Sequence, residues 1–249
     1  LYGGTINLMG KSYQKFGWKA IFVDSDDPEA FRKAVSEKTR AIFIESIANP
    51  GGVVMDIESI ARVATEAGVP LVVDNTMATP FLCQPFEWGA DLVVHSTTKF
   101  LSGQGNAVGG VVIDSGKFPW LGKEKFPSLS TPSPEYNGLT FAETFGDLAY
   151  TMYSHAISLR DLGCAQSPMN AWITLNGVET LPLRMERHCN NGLAVAGFLE
   201  NHPQVEWVSY AGLESSPYYK LGKKYMPDGS GSVFTFGVKG GYESGLTML

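Results

Sequence analysis

The sequence predicts an α/β fold, a mostly parallel sheet with flanking helices, followed by the start of a smaller C-terminal α+β domain. Three observations carry this. Short, continuous apolar runs rich in β-branched residues recur through the first half, and amphipathic stretches separate several of them. The second half turns to longer helical patterns before strand-like alternation returns near the end.

In chain order, the apolar runs are Ala20–Val23, Ala41–Ile44, Leu71–Val73, Leu92–Val94 and Val111–Ile113. The intervening amphipathic stretches are Pro28–Ser36 and Asp56–Ala67. In the latter, Ile57, Ile60, Ala61 and Ala64 recur at helical spacing and Gly68 closes the helix. From Asp114 to about Ala149 the pattern dissolves into a segment with Pro119, Pro127, Pro132 and Pro134 among Phe118, Trp120, Phe126, Tyr136, Phe141 and Phe145. A loop of this length is expected to be functional or to pack on itself, and its aromatics favour packing. Helical signals resume over Ala149–Leu162 and Pro168–Asn201, with Thr174–Leu199 reading as one long helix. Val205–Tyr210 and Val233–Val238 then alternate as strands. The expected division is 1–170 as the large domain, with 115–148 as an aromatic, Pro-rich insertion. Residues 171–249 form a linking helix and the beginning of an apparently incomplete small domain.

Composition narrows the function classes. With 249 residues, 44% apolar and 18% charged, the chain can bury a sizeable core. A net charge of −6 leaves no electrostatic footprint for nucleic acid or an anionic membrane. The Lys220, Lys223, Lys224 patch reads as a solvated face. No apolar run reaches the roughly 20 residues needed to span a bilayer. The opening residues Leu1-Tyr2-Gly3-Gly4-Thr5 lack signal-peptide character, and the absence of an initiator Met raises the expectation of a longer parent chain. Cys83, Cys164 and Cys189 are odd in number and far apart, which suits buried thiols in a reducing, cytoplasmic compartment.

Two positions stand out by where they fall. Asp74 ends the run Pro70-Leu71-Val72-Val73, and Lys99 follows the next run through His95-Ser96-Thr97-Thr98. In a parallel sheet both strands end at one edge, where open α/β sheets bind ligands. An acid, a lysine and two hydroxyls at one crevice match what pyridoxal phosphate requires: an amine for the aldehyde, a carboxylate beside the ring nitrogen and donors for the phosphate. Partial desolvation would leave Lys99 available as a neutral nucleophile. An unremarkable lysine and acid on strand-end loops fit the same pattern.

Motifs go further. Leu1-Tyr2-Gly3-Gly4-Thr5, Glu45-Ser46-Ile47-Ala48-Asn49-Pro50, Asp74-Asn75-Thr76 and Ser96-Thr97-Thr98-Lys99 occur together in this order. They resemble the cysteine/methionine-metabolism family of pyridoxal-phosphate enzymes. Within it, Gly116–Trp120, Pro134–Leu139, Leu159–Gly163 and Glu179–His188 are similar to the O-acetylhomoserine sulfhydrylase subgroup. The resemblance implies a fold-type-I pyridoxal-phosphate transferase in which Lys99 is the Schiff-base lysine and Asp74 the partner of the ring nitrogen. It implies that Ser96 and Thr98 hold the phosphate. Tyr2 would stack on the ring and assist proton transfer, and Asn49 would lie near the phenolic oxygen and substrate. Lys99 and Tyr2 are thus the expected catalytic residues.

The implied reaction is γ-replacement on O-acetyl-L-homoserine by sulfide or a thiol, giving L-homocysteine or L-methionine and acetate. Methionine γ-lyase, cystathionine γ-synthase and O-succinylhomoserine chemistry are rivals within the family, and an inactive binding or oligomerisation module of the same fold is the rival outside it. The implied assembly is a homotetramer built as a dimer of dimers. The resemblance also implies an upstream Gly-rich phosphate loop, a Tyr and an Arg from a neighbouring subunit, and a downstream carboxylate-binding arginine. The 249 residues contain none of these segments, so weak cofactor binding and poor substrate binding are expected.

Other patterns fail. Gly4–Ser12 has five residues between its glycines where a P-loop needs four. Gly103–Gly109 is not a dinucleotide fingerprint. His95, His155, His188 and His202 show no metal-ligand spacing, so no metal is expected.

Overall fold

The computed structural model describes residues 1–24, 26–122 and 124–248. Its centre is a four-stranded sheet in the order β1 (Ile42–Glu45), β2 (Leu71–Asp74), β3 (Leu92–Ser96), β4 (Gly110–Asp114). The first three strands run parallel, and β4 pairs antiparallel with β3. The register sets Glu45 beside Asp74 and Asp74 beside Val94. The carboxyl ends of β1, β2 and β3 therefore lie along one edge. Ile42, Ile44, Leu71, Val73, Leu92 and Val93 are buried, as continuous apolar runs demand.

Two helices flank this unit: α1 (Pro28–Ala34) and α2 (Ile57–Ala67). The helix α2 connects β1 to β2 and points Ile57, Ile60, Ala61, Val63 and Ala64 into the core. Asp56 caps it by accepting the Ser59 amide at 3.3 Å, and Gly68 ends it at φ 64. Lys224 is more than a solvated charge. Its ammonium lies 2.7 Å from Glu58 and over the Trp88 ring, tying a late segment to the start of α2.

Beyond the sheet come α3 (Pro168–Glu179), α4 (Leu181–Glu200), the antiparallel pair β5 (Val205–Ser209) and β6 (Thr235–Val238), α5 (Tyr219–Tyr225) and α6 (Gly241–Met248). Leu181, Met185 and Cys189 of α4 join the same core as the sheet strands. The aromatic segment packs on itself: Phe118, Trp120, Leu129, Phe141, Ala142 and Ala149 form a separate buried cluster.

Two expectations are corrected. Ala20–Val23 forms no strand, and Ile21 and Phe22 are exposed. An apolar run becomes a strand only where another strand's backbone pairs with it, and among the described residues Ala20–Val23 joins no ladder. The continuous helix over Thr174–Leu199 is broken at Thr180, where α3 ends and α4 begins. Pro182 explains the break, because it has no N–H to donate and its ring displaces the carbonyl four residues earlier. Among the described residues, no helix is long and apolar enough to cross a membrane.

Candidate active site

Three strands end at the same edge, and each delivers a polar side chain there: Glu45 from β1, Asp74 from β2 and Ser96 from β3. After Ser96 the chain enters a wide turn, Thr97–Leu101, that carries Lys99. The start of this turn is held by Gly109, whose amide donates to Thr98 Oγ1 at 3.1 Å and whose carbonyl accepts from the Thr97 amide.

A pocket of about 270 Å³ opens at this edge, lined by Tyr2, Glu45, Ile47, Asn49, Asp74, Thr76, Met77, Ser96, Thr98 and Lys99. All six residues singled out from sequence thus share one cavity. The Lys99 ammonium sits 6.0 Å from the centre of the Tyr2 ring. A larger hollow of about 490 Å³ lies between α4, β5, β6 and α6, but it gathers no comparable set of acid, amine and hydroxyls.

Local hydrogen bonds fix most of these groups. Asp74 Oδ1 accepts the Thr76 amide at 2.9 Å, and Thr76 Oγ1 accepts the Ser96 amide at 2.8 Å. This couples the end of β2 to the end of β3. Glu45 is buried, and its two oxygens accept the Tyr2 amide at 2.6 Å and the Asn49 amide at 3.0 Å. Behind the edge lies His95, also buried. Burial depresses its basicity, while the nearby Asp74 charge works against that shift.

Two details differ from expectation. Lys99 is exposed, so this chain by itself does not withdraw the amine from water. Thr98 Oγ1 is engaged with the Gly109 backbone, whereas the Ser96 hydroxyl is free of protein hydrogen bonds among the described residues. Sequence reasoning missed Glu45, Thr76 and His95 as parts of this site. Glu45 and Thr76 stood inside quoted motifs and His95 just before one, but the contacts of Glu45 with Tyr2, of Thr76 with Ser96 and of His95 with Asp74 span 20 residues or more.

The donor set fits pyridoxal phosphate. An exposed amine, a carboxylate with one oxygen still open, a free hydroxyl and an aromatic ring face a common cavity, which is the combination an aldehyde-bearing, phosphorylated pyridine needs.

The chain belongs to the Cys/Met metabolism PLP-dependent enzyme family, whose model matches residues 1–249. Pyridoxal phosphate is that family's cofactor. Among characterised relatives, the chain is 50% identical over 258 residues to the O-acetyl-L-homoserine sulfhydrylase of Leptospira meyeri, covering 100% of this chain and 58% of that protein. It is 49% identical to the homocysteine synthase of Schizosaccharomyces pombe, with 97% and 57% covered. A crystal structure of an O-acetylhomoserine (thiol)-lyase from Campylobacter jejuni superposes with a TM-score of 0.92 at 38% identity, covering 96% of this chain and 59% of that one. Its lysine carries a pyridoxyl-5'-monophosphate group. The chain therefore spans somewhat over half the length of the relatives it matches.

Proposed function

We propose that this chain carries the cofactor-anchoring part of a transferase that performs γ-replacement on O-acetyl-L-homoserine. Sulfide or a thiol displaces acetate to give L-homocysteine or L-methionine. The observation that carries this reading is the shared pocket of Lys99, Asp74 and Tyr2, and the sulfhydrylases at about half identity support the choice of reaction.

When bound, pyridoxal phosphate supplies an electron sink that stabilises negative charge beside the substrate amine. Lys99 is the amine that holds the aldehyde carbon. Released from the aldehyde by the substrate amine, Lys99 Nζ would be the base placed to move protons at Cα and Cβ. Asp74 would hold the ring nitrogen and keep a proton there. Ser96 and Thr98 would bind the phosphate, with Ser96 bringing the unengaged hydroxyl. Tyr2 would stack on the ring and assist proton transfer, and Asn49 would serve the phenolic oxygen and the substrate. We place the protein in the cytoplasm as a dimer-of-dimers tetramer; three unpaired cysteines suit that compartment.

The test is borohydride reduction of the purified full-length protein with pyridoxal phosphate, followed by peptide mapping. A pyridoxyl adduct on Lys99 is expected, and a colourless, unmodified protein overturns the reading. Turnover of O-acetylhomoserine with sulfide should then exceed elimination from methionine; the reverse order replaces the sulfhydrylase assignment with a γ-lyase.

A further inference from the structure

Glu45 poses a physical question. It is only 5% exposed, and among the described residues it has no lysine or arginine partner. A buried carboxylate is costly unless hydrogen bonds compensate it. The compensation here is a pair of backbone donors from two separate segments: the Tyr2 amide on Oε1 and the Asn49 amide on Oε2. One segment lies 43 residues away and the other four.

The anchor point is itself rigid. Glu45 ends β1 in register with Asp74, and the next residue bonds to β2, with the Ser46 amide on the Asp74 carbonyl at 3.0 Å. By contrast, Tyr2 is 49% exposed. It folds back over Gly4, where a Cβ would stand 2.7 Å from Tyr2 Cε1. The 2.6 Å bond from the Tyr2 backbone is therefore the main polar tie between this segment and the sheet edge.

We infer that Glu45 is a positioning residue: its two carboxylate oxygens clamp the Tyr2 and Asn49 segments on either side of the pocket and so set the Tyr2 ring over Lys99. The inference rests on the reading of Tyr2 and Asn49 as cofactor-facing residues. The chemistry explains why an acid is needed. Glutamine has nearly the same shape and is cheaper to bury, but it offers one acceptor oxygen, and its NH₂ would meet a second N–H donor head-on. A carboxylate accepts from both, and such charge-assisted bonds are short.

The test uses Glu45→Gln in the full-length protein. Backbone amide exchange, followed by NMR at Tyr2 and Asn49, is expected to speed up at least tenfold at one or both amides. With cofactor supplied, the pyridoxyl adduct on Lys99 is retained, while the circular dichroism of the cofactor band falls at least twofold. Turnover drops roughly 10- to 100-fold in kcat with less change in KM, the scale expected when a positioned group shifts by about 1 Å. In a Tyr2→Ala background the same substitution should cost less than threefold, since the clamp then has no ring to hold. Unchanged exchange and dichroism in Glu45→Gln, or a kcat loss that multiplies in full with that of Tyr2→Ala, overturns the proposal. If Glu45→Gln does not fold, the wild-type protein decides: both amides must exchange at least tenfold slower than unstructured ones, and an unprotected Tyr2 amide overturns the clamp. Absence of a Lys99 adduct in the wild type is a different failure. It removes the cofactor reading and leaves the exchange result standing.

Discussion

At the scale of single residues, Asn75 shows how much of the site depends on groups that never face the cavity. It follows Asp74 and is fully buried. Its Oδ1 accepts from Ser46 Oγ at 2.7 Å, and its Nδ2 donates to the carbonyls of Thr79 and Cys83 at 3.1 and 2.8 Å. Those carbonyls belong to a turn in which Thr79 sits at φ 61, a conformation rare for a β-branched residue and held at a cost of about 1–3 kcal/mol. Replacing Asn75 with Leu keeps the volume but takes the donor from the Cys83 carbonyl, while Ser46 Oγ keeps only a long 3.4 Å bond to the Asp74 carbonyl and the Thr79 carbonyl keeps the Cys83 amide. Each orphaned buried group costs about 1–3 kcal/mol. The expected loss is about 1–3 kcal/mol in urea unfolding, with weaker retention of cofactor because Asp74 is the adjacent residue. Asn75→Asp should also destabilise, since a carboxylate cannot donate to the two carbonyls. A change within about 0.5 kcal/mol for either variant would contradict this account.

Among the elements, the break between α3 and α4 holds the Lys99 turn. Arg184, in the first turns of α4, donates Nη1 to the Phe100 carbonyl at 2.8 Å and Nη2 to the Gly177 carbonyl at 2.6 Å. Gly177 brings α3 so close to the turn that a Cβ there would lie 2.4 Å from the carbonyl oxygens of Leu101 and Ser102. Two effects oppose each other in Gly177→Ala. Helix propensity favours alanine by about 1 kcal/mol, whereas forcing a methyl against backbone costs about 1–3 kcal/mol. The clash wins because backbone carbonyls cannot rotate aside. The variant should therefore be less stable than wild type and yield less pyridoxyl adduct at Lys99; a stabilised variant with full adduct would refute the packing argument. Arg184→Met should move both readouts in the same direction. This junction was not legible in the sequence, where the apolar period runs straight across Thr180 and only Pro182 hints at the break. What was legible followed from short-range physics. Buried runs bounded by turn residues marked β1, β2 and β3, and Asp56 and Gly68 marked the ends of α2. Lys99 and Asp74 could be placed together because parallel strands share an edge. Glu45 could not, because its contact with the Tyr2 amide spans 43 residues. Ala20–Val23 misled because apolar content reports a tendency to be buried and not a pairing partner.

On the scale of the whole molecule, the main core runs from the sheet through α2 to α4 and α5, while the aromatic segment keeps a cluster of its own, and Phe126 packs on both. The main core encloses the Cys83 and Cys189 thiols, whose charged forms burial disfavours, and this sets a pH dependence. Burial pushes the Cys83 thiol from its ordinary 9.0 up to about 12, with the charge of Glu87 adding to the effect. Burial likewise raises Cys189, and it raises Tyr210 in a small separate cluster with Ala196 and Leu213. The sign is the same for all three. Below pH 9, Cys83 keeps its proton in both folded and unfolded chains and adds no slope. Between about 9 and 12 the unfolded chain releases that proton while the folded chain holds it. Stability therefore falls as pH rises through this window, by about 1.4 kcal/mol per pH unit for one proton. Urea midpoints taken at pH 8, 9, 10 and 11 should be level between the first two and then decline. Cys83→Ala, which removes the titrating group at the expense of a small cavity, should lower stability at pH 8 yet flatten the alkaline slope. At pH 8 the Cys83 and Cys189 thiols, both buried, should resist a water-soluble disulfide reagent until the protein unfolds, while exposed Cys164 reacts at once. A level midpoint from pH 8 to 11, or rapid modification of all three thiols in the folded protein, would show that the core does not exclude water around Cys83 as its packing requires.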